Sequence, residues 1–317
     1  MNAATKLGAY VLGLAVVFGG ALGVGNAVGE VGPAPAKPEH GTTHSAPAAD
    51  SHGGHAQATA AAQDDTPGGL QVSESGYTLN PLTTVKPGEP TDFRFTVTGP
   101  DGRPVTDYQV EHDKKLHFIV VSRDLGSFQH VHPDLGADGV WSVKLTLEDP
   151  GAYRAFADFA PTGGSGLTLG ADLLVAGDYA PQPLPQVART ATVDGYTVSL
   201  AGDLVPGRAS KLTLSVSKDG RPVTDLQRYL GAYGHLVALR AGDLAYLHVH
   251  PEESVKAGPE ITFYAEVPSG GDYRLFLDFQ HDGKVRTADF TAQAGAGQPK
   301  PAAEPSASPS HGGNHPH

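Results

Sequence analysis

An all-β fold is predicted here, built as two tandem β-sandwich domains of immunoglobulin or cupredoxin type. Three observations lead to it. The 317 residues include 41 glycines and 26 prolines, and long apolar-periodic stretches are few, which favours short strands joined by turns over a helical bundle. The hexapeptide Gly-Arg-Pro-Val-Thr-Asp stands at 102–107 and again, letter for letter, at 220–225. Finally, Gly151-Ala-Tyr153-Arg154-Ala-Phe156-Ala-Asp158-Phe159 recurs as Gly271-Asp-Tyr273-Arg274-Leu-Phe276-Leu-Asp278-Phe279. The first offset is 118 residues and the second 120, so a loop between the motifs has grown by two residues. Similarity at one long period marks a repeated domain.

The repeats cover 70–177 and 190–293. Between them, 178–189 carries Pro181, Pro183 and Pro185 and reads as a semi-rigid linker. Within the first repeat, Thr91 to Val97 alternates, with Phe93, Phe95 and Val97 on one face. Asp101-Gly102 is a turn signal. His117 to Ser122 and Ser127 to Val131 are β-branched or aromatic and flank Arg-Asp-Leu-Gly, the profile of a hairpin. Val140 to Leu147 alternates again, Tyr153 to Phe159 follows, and a last strand runs near Leu167 to Val175. About seven strands in ~100 residues, with turns every 8–12, is the pattern of a sandwich. Each repeat is long enough to bury a core without disulfides.

The ends differ in kind. From Leu7 to Gly29 no residue is charged; as a helix this segment spans about 34 Å at ~1.5 Å per residue, enough for the hydrocarbon of a bilayer. Residues 1–29 therefore read as a single transmembrane anchor contacting the cytoplasmic membrane through 7–29. Lys6 before it and Glu30 after it favour the bulk of the chain outside the cell. A cleaved signal peptide, which would make the protein secreted, is the competing reading. Residues 30–69 and 294–317 are rich in Ala, Pro, Gly and Ser and read as a disordered tether and tail. They hold His40, His44, His52, His55, His311, His315 and His317, a composition suited to weak metal capture or to none.

Charge and sulfur narrow the function classes. A net charge of −12 without a basic cluster argues against nucleic acid as a partner. There is no cysteine, and the sole methionine is Met1. Disulfides, Fe–S ligation, thiolate zinc and blue copper are thereby excluded, and any metal must be held by nitrogen and oxygen.

Histidine supplies the candidate. His117 is followed by His130-Val-His132-Pro, and His235, 118 residues on, by His248-Val-His250-Pro. Two histidines two apart on a strand share a face about 7 Å apart, at ~3.3 Å rise per residue. A turn near Asp124-Leu125 places His117 opposite His132, a one- or two-residue change of register moves it towards His130, and the second copy is expected to repeat this around Ala241-Gly242-Asp243. Three neutral imidazoles with an open position suit Cu(II) or Zn(II), copper being favoured by the Irving–Williams order. His112 and His281 are further candidates, one private to each repeat. Asp158 and Asp278 could ligate, or could accept a hydrogen bond from an imidazole. Each set could equally be a hydrogen-bonded structural cluster, since buried imidazoles need partners of some kind.

The segments Lys114-Lys115-Leu116-His117-Phe118-Ile119-Val120-Val121 and Phe128-Gln129-His130-Val131-His132-Pro133 resemble secreted or membrane-anchored bacterial proteins of the YtkA-like family, actinobacterial ones among them. The resemblance extends over both repeats, about 70–290. It implies an extracytoplasmic β-sandwich and a heavy-metal-binding role, and it carries over no catalytic residue.

Three functions compete. The first is an anchored metal buffer, scavenger or delivery protein, not an enzyme, binding copper or zinc through a triad in each repeat. The second is a module recognising a partner through its loops, without metal. The third is a copper redox enzyme, because His-Val-His on a sandwich strand is similar to the copper strand of Cu/Zn superoxide dismutase. A dismutase-like zinc loop, bridging histidine and disulfide are absent, and no nucleophile–base pattern or phosphate loop is present.

Overall fold

Short segments in which large apolar side chains alternate with polar ones become strands throughout. A computed structural model describes residues 66–252, 254 and 256–295, all inside one compact unit. The expected anchor at 7–29 and the seven tether and tail histidines lie outside the described residues. Among the described residues there is no helix, hence none long and apolar enough to cross a membrane.

The first sandwich has nine strands: β1 (Ser73–Glu74), β2 (Tyr77–Pro81), β3 (Thr91–Thr98), β4 (Leu116–Ser122), β5 (Phe128–Val131), β6 (Asp134–Leu135), β7 (Val140–Leu145), β8 (Gly151–Phe159) and β9 (Leu167–Val175). They form two sheets, in the orders β1-β2-β3-β7-β6 and β5-β4-β8-β9. The second repeat adds β10 (Thr190–Val193), β11 (Tyr196–Ala201), β12 (Arg208–Lys218), β13 (Arg221–Pro222), β14 (Gly234–Arg240), β15 (Val249–Pro251), β16 (Glu260–Val267), β17 (Gly271–His281) and β18 (Lys284–Ala294). Its sheets run β10-β11-β12-β16-β15, with β13 on β12, and β14-β17-β18.

Each sandwich encloses its own core. In the first, Phe93, Phe95, Phe118 and Trp141 are buried together, the Phe95 and Phe118 rings stacked at 4.5 Å and the Trp141 indole N–H donating to the Tyr108 hydroxyl. In the second, Leu212, Leu214, Phe263, Leu275, Phe279 and Phe290 do the same. Tyr153 and Tyr273, equivalent in the repeats, each donate a hydroxyl hydrogen bond to the carbonyl four residues upstream, Asp149 and Ser269 respectively, pinning the same corner twice.

Strand β4 is buried at every position. Side chains of a strand point alternately to its two faces. Leu116, Phe118 and Val120 therefore enter the first core, while Ile119 and Val121 leave it on the opposite face. There they meet Val237, Leu239 and Phe276 of the second sandwich, together with Leu125, Phe156 and Leu244. Phe128 stacks flat on Phe276, ring centroids 4.1 Å apart. The β5-β4-β8-β9 and β14-β17-β18 sheets thus pack outer face to outer face, and His117 and His235 lie on those faces.

The last residues of the expected tether belong to this junction. Gly68 bridges Tyr246 of the second sandwich, and Gly69 donates to the Thr168 carbonyl of the first. Gly69 has φ +74°, and a Cβ there would lie 2.5 Å from the Phe156 ring, so only glycine fits.

Candidate metal centre

Residue pairing assembles the first triad. In the β4–β5 hairpin Phe118 faces Val131 and Ile119 faces His130, which sets His117 opposite His132 one step further. All three imidazoles occupy the face turned towards the second sandwich. His117 Nδ1 lies 3.1 Å from His130 Nε2 and 3.2 Å from His132 Nε2, and all three nitrogens fall within 4.8 Å of one another. A tetrahedral ion with metal–nitrogen bonds of ~2.0–2.1 Å sets its ligand nitrogens about 3.3–3.4 Å apart, so the spacing fits an ion with little adjustment.

The remaining ring nitrogens are all engaged. His117 Nε2 is 3.3 Å from the Glu111 carbonyl oxygen. His130 Nδ1 is 2.8 Å from Asp278 Oδ2, across the junction, and both side chains are almost wholly buried. His132 Nδ1 is 3.5 Å from the Tyr229 hydroxyl, also of the second sandwich. Asp278 is held in turn by the Thr287 hydroxyl. One sandwich therefore supplies the three nitrogens and the other supplies two of the groups that orient them.

The partners of His117 and His130 fix the tautomers of their neutral forms, whereas the Tyr229 hydroxyl can donate to His132 or accept from it. A carbonyl and a carboxylate only accept, so the hydrogen of neutral His117 is on Nε2 and that of neutral His130 is on Nδ1. In those neutral forms the nitrogens facing each other at 3.1 Å are both acceptors, with His132 Nε2 converging on His117 Nδ1 at 3.2 Å. With both rings neutral no proton joins this pair; a cation at this point satisfies both, and for His117 Nδ1 an N–H from His132 Nε2 would serve as well. Burial foremost, then the neighbouring His130, holds His117 and His132 down to about 3, and burial holds His235 down to about 4. These three imidazoles are consequently neutral near pH 7, the form that ligates metal.

The second copy does not repeat the geometry. Leu239 bridges Tyr246 and Leu247 donates to the Ala238 carbonyl, the same register as the first hairpin. The chain then departs, and β15 pairs with β16 instead of β14. His248 and His250, their rings 4.1 Å apart, are drawn away from His235, so the expected second triad is not assembled. The physical cause is competition between two strand edges for one segment. Between them lies a cavity of about 710 Å³ lined by His112, His117, His130, Asp158, His235, His248 and His250 among others.

Other candidates separate clearly. His112 is exposed beside this cavity, its ring 5.5 Å from that of His235 and 6.2 Å from that of His117. His281 is not with the other histidines: it is buried against the Tyr196 hydroxyl at 2.7 Å and Asp225 at 3.1 Å. Asp278 takes the imidazole-accepting role. Asp158, its counterpart, receives only the Thr168 hydroxyl and lines the cavity; burial pushes it up to about 6. Arg154 and Arg274 pair with Asp172 and Asp289 instead of these carboxylates. Tyr229 and the Glu111 carbonyl are absent from the sequence reading, although their shared position six residues before His117 and His235 was a usable signal.

Residues 71–175 and 191–296 each match the family described as "Domain of unknown function (DUF8832)". No curated protein shows significant similarity to the chain. Among solved structures, a chimeric titin Z1Z2-Z1Z2 tandem is 15% identical over 68% of this chain and 97% of its own, with a TM-score of 0.18. The titin Ig tandem A164-A165 is 12% identical over 70% and 98%, TM-score 0.18. The S-layer protein rSbsC(31-844) is 12% identical over 71% and 28%, TM-score 0.23.

Proposed function

The chain belongs to the DUF8832 family, whose domain it carries twice, and from that premise we propose that it binds a transition-metal ion, Cu(II) or Zn(II), at His117, His130 and His132. The observation that carries this reading is the convergence of three ring nitrogens, His117 Nδ1 at 3.1 Å from His130 Nε2 and 3.2 Å from His132 Nε2, while the far nitrogens of His117 and His130 face the Glu111 carbonyl and the Asp278 carboxylate. Three nitrogens leave a fourth position open, which suits buffering, scavenging or delivery of the ion. A carboxylate behind a ligating imidazole fixes the ring and raises its basicity. In this reading the sandwiches are of immunoglobulin or cupredoxin type, residues 7–29 anchor the protein at the cytoplasmic membrane, and the bulk lies outside the cell. The motif likeness to YtkA-like proteins is in keeping with it, and no catalytic role is assigned.

The test uses the full chain. Zn(II) and Cu(II) stoichiometry is compared between wild type and His130→Asn/His132→Asn, so that binding by the tails cancels. The double variant should bind one ion fewer. Asp278→Asn should bind the same number, that ion about 10- to 100-fold more weakly. Unchanged stoichiometry in the double variant, with folding intact, would mean that the cluster holds no metal.

A further inference from the structure

The two sandwiches brace each other in only one direction. His130 of the first is held by Asp278 of the second, and His132 faces Tyr229 of the second. Exchanging the repeats, His248 would be held by Asp158 and His250 would face Glu111. Those acceptors are in place. Asp158 has its Thr168 hydrogen bond just as Asp278 has Thr287, and both Asp158 and Glu111 line the cavity in front of His248 and His250. His235 is also prepared: its Nε2 donates to the Tyr229 carbonyl at 2.8 Å, as His117 does to Glu111, leaving Nδ1 free to ligate.

What differs is where one segment pairs. Strand β14 is the edge of its sheet, and Gly234, His235, Leu236 and Val237 line the cavity along that edge. Continuing the register of Leu239 with Tyr246 would set Val237 opposite His248, Leu236 opposite Val249 and His235 opposite His250. The present pairs are Val249 with Ala265, His250 with Tyr264 and Pro251 with Phe263. Three ladder pairs would be exchanged for three, with the Glu266 N–H to His248 and Glu252 N–H to Thr262 bonds lost besides, so a bound ligand has to supply the difference and decides the outcome.

We propose that the cavity between β14 and β15 is a second transition-metal site, with His235, His248 and His250 as ligands. It is completed when the segment 248–251 moves from β16 to β14. Asp158 and Glu111 then orient His248 and His250 from the first sandwich. The proposal rests on the first triad being a metal site, and it adds a second ion whose arrival is coupled to strand exchange.

The experiment compares the full chain with His248→Asn/His250→Asn, His130→Asn/His132→Asn and Asp158→Asn, titrated with Zn(II) and followed by amide hydrogen exchange. Wild type should bind one ion more than either double variant, and Asp158→Asn should weaken one ion about 10- to 100-fold without changing their number. The Glu266 amide, now bonded to the His248 carbonyl, should exchange at least about tenfold faster once the second ion is bound. If His248→Asn/His250→Asn binds as many ions as wild type, or the Glu266 amide stays protected at saturation, the second site is overturned. Loss of one ion in His130→Asn/His132→Asn shows in either case whether the first site stands by itself.

Discussion

In the first sandwich the chain stays paired with β4 through Val131 and reaches β7 only at Asp134; in the second it has left β14 after Leu247 and joins β16 at Val249. The motif letters are the same, His-Val-His-Pro, and so is the hairpin register up to the departure. The surroundings are not. His130 and His132 find Asp278 and Tyr229 waiting on the opposing face, whereas His248 and His250 lie across an open cavity from Asp158 and Glu111. A repeated motif therefore specifies a strand's chemistry, while the opposing sandwich decides which edge the strand takes.

The largest test of this asymmetry is at the junction itself. Phe276 stacks on Phe128 and carries no ligand, yet it sits two residues before Asp278 on the strand that braces His130. Phe276→Ala should cost about 3–5 kcal/mol in unfolding free energy, as a buried aromatic truncation does. Phe290→Ala, inside the second core, should cost about the same. Only Phe276→Ala should weaken metal binding, because only it loosens the face that holds Asp278. Equal affinity losses in the two variants, measured by competition with a chelator, would show that the junction does not position the triad.

Acid provides the next contrast. His117 and His132 titrate near 3 and His235 near 4 in the folded protein, against ~6.5 in the unfolded chain. Between those limits the unfolded state binds more protons, so stability falls as pH falls through the window from ~6.5 towards 3. Asp158, raised to about 6, acts in the opposite sense, losing stability as pH rises from ~3.8 through 6. Three imidazoles outweigh one carboxylate. Each fully depressed histidine contributes up to ~1.4 kcal/mol per pH unit. Urea unfolding of the metal-free protein at pH 7 and pH 5 should show a clear loss of stability, and His235→Gln should reduce that loss by more than a third, because Asp158 offsets part of the histidine total. A flat profile would mean that these rings bind protons in the folded protein as they do in the unfolded chain.

Much of this was legible in the residues. Alternation located β3 and β7, and β-branched or aromatic runs bounded by turn residues located β4, β5, β8 and β9, to within a residue or two at most boundaries. The hairpin turn at Asp124-Leu125 likewise set His117 opposite His132. Two things were not legible. Which edge a three-residue strand takes depends on contacts from a domain about 118 residues away, and β15 is such a strand. The facing of the two sandwiches was written only indirectly, in the unbroken apolar run around His117, where a strand with one wet face would alternate. That run is what made the junction, and with it the role of Asp278, knowable in principle.

The smallest effect should come from Tyr229, and it separates the two kinds of brace. Its hydroxyl stands 3.5 Å from His132 Nδ1, at the limit of a hydrogen bond, whereas the Asp278 carboxyl group reaches His130 Nδ1 at 2.8 Å. Tyr229→Phe keeps the ring, its edge-on contact with His235 and the backbone carbonyl that receives His235 Nε2. It should therefore cost well under ~1 kcal/mol in stability and change affinity for the first ion by less than Asp278→Asn does. A Tyr229→Phe loss as large as the Asp278→Asn loss in the same titration would mean that the hydroxyl, and not the carboxylate, sets the geometry of the triad.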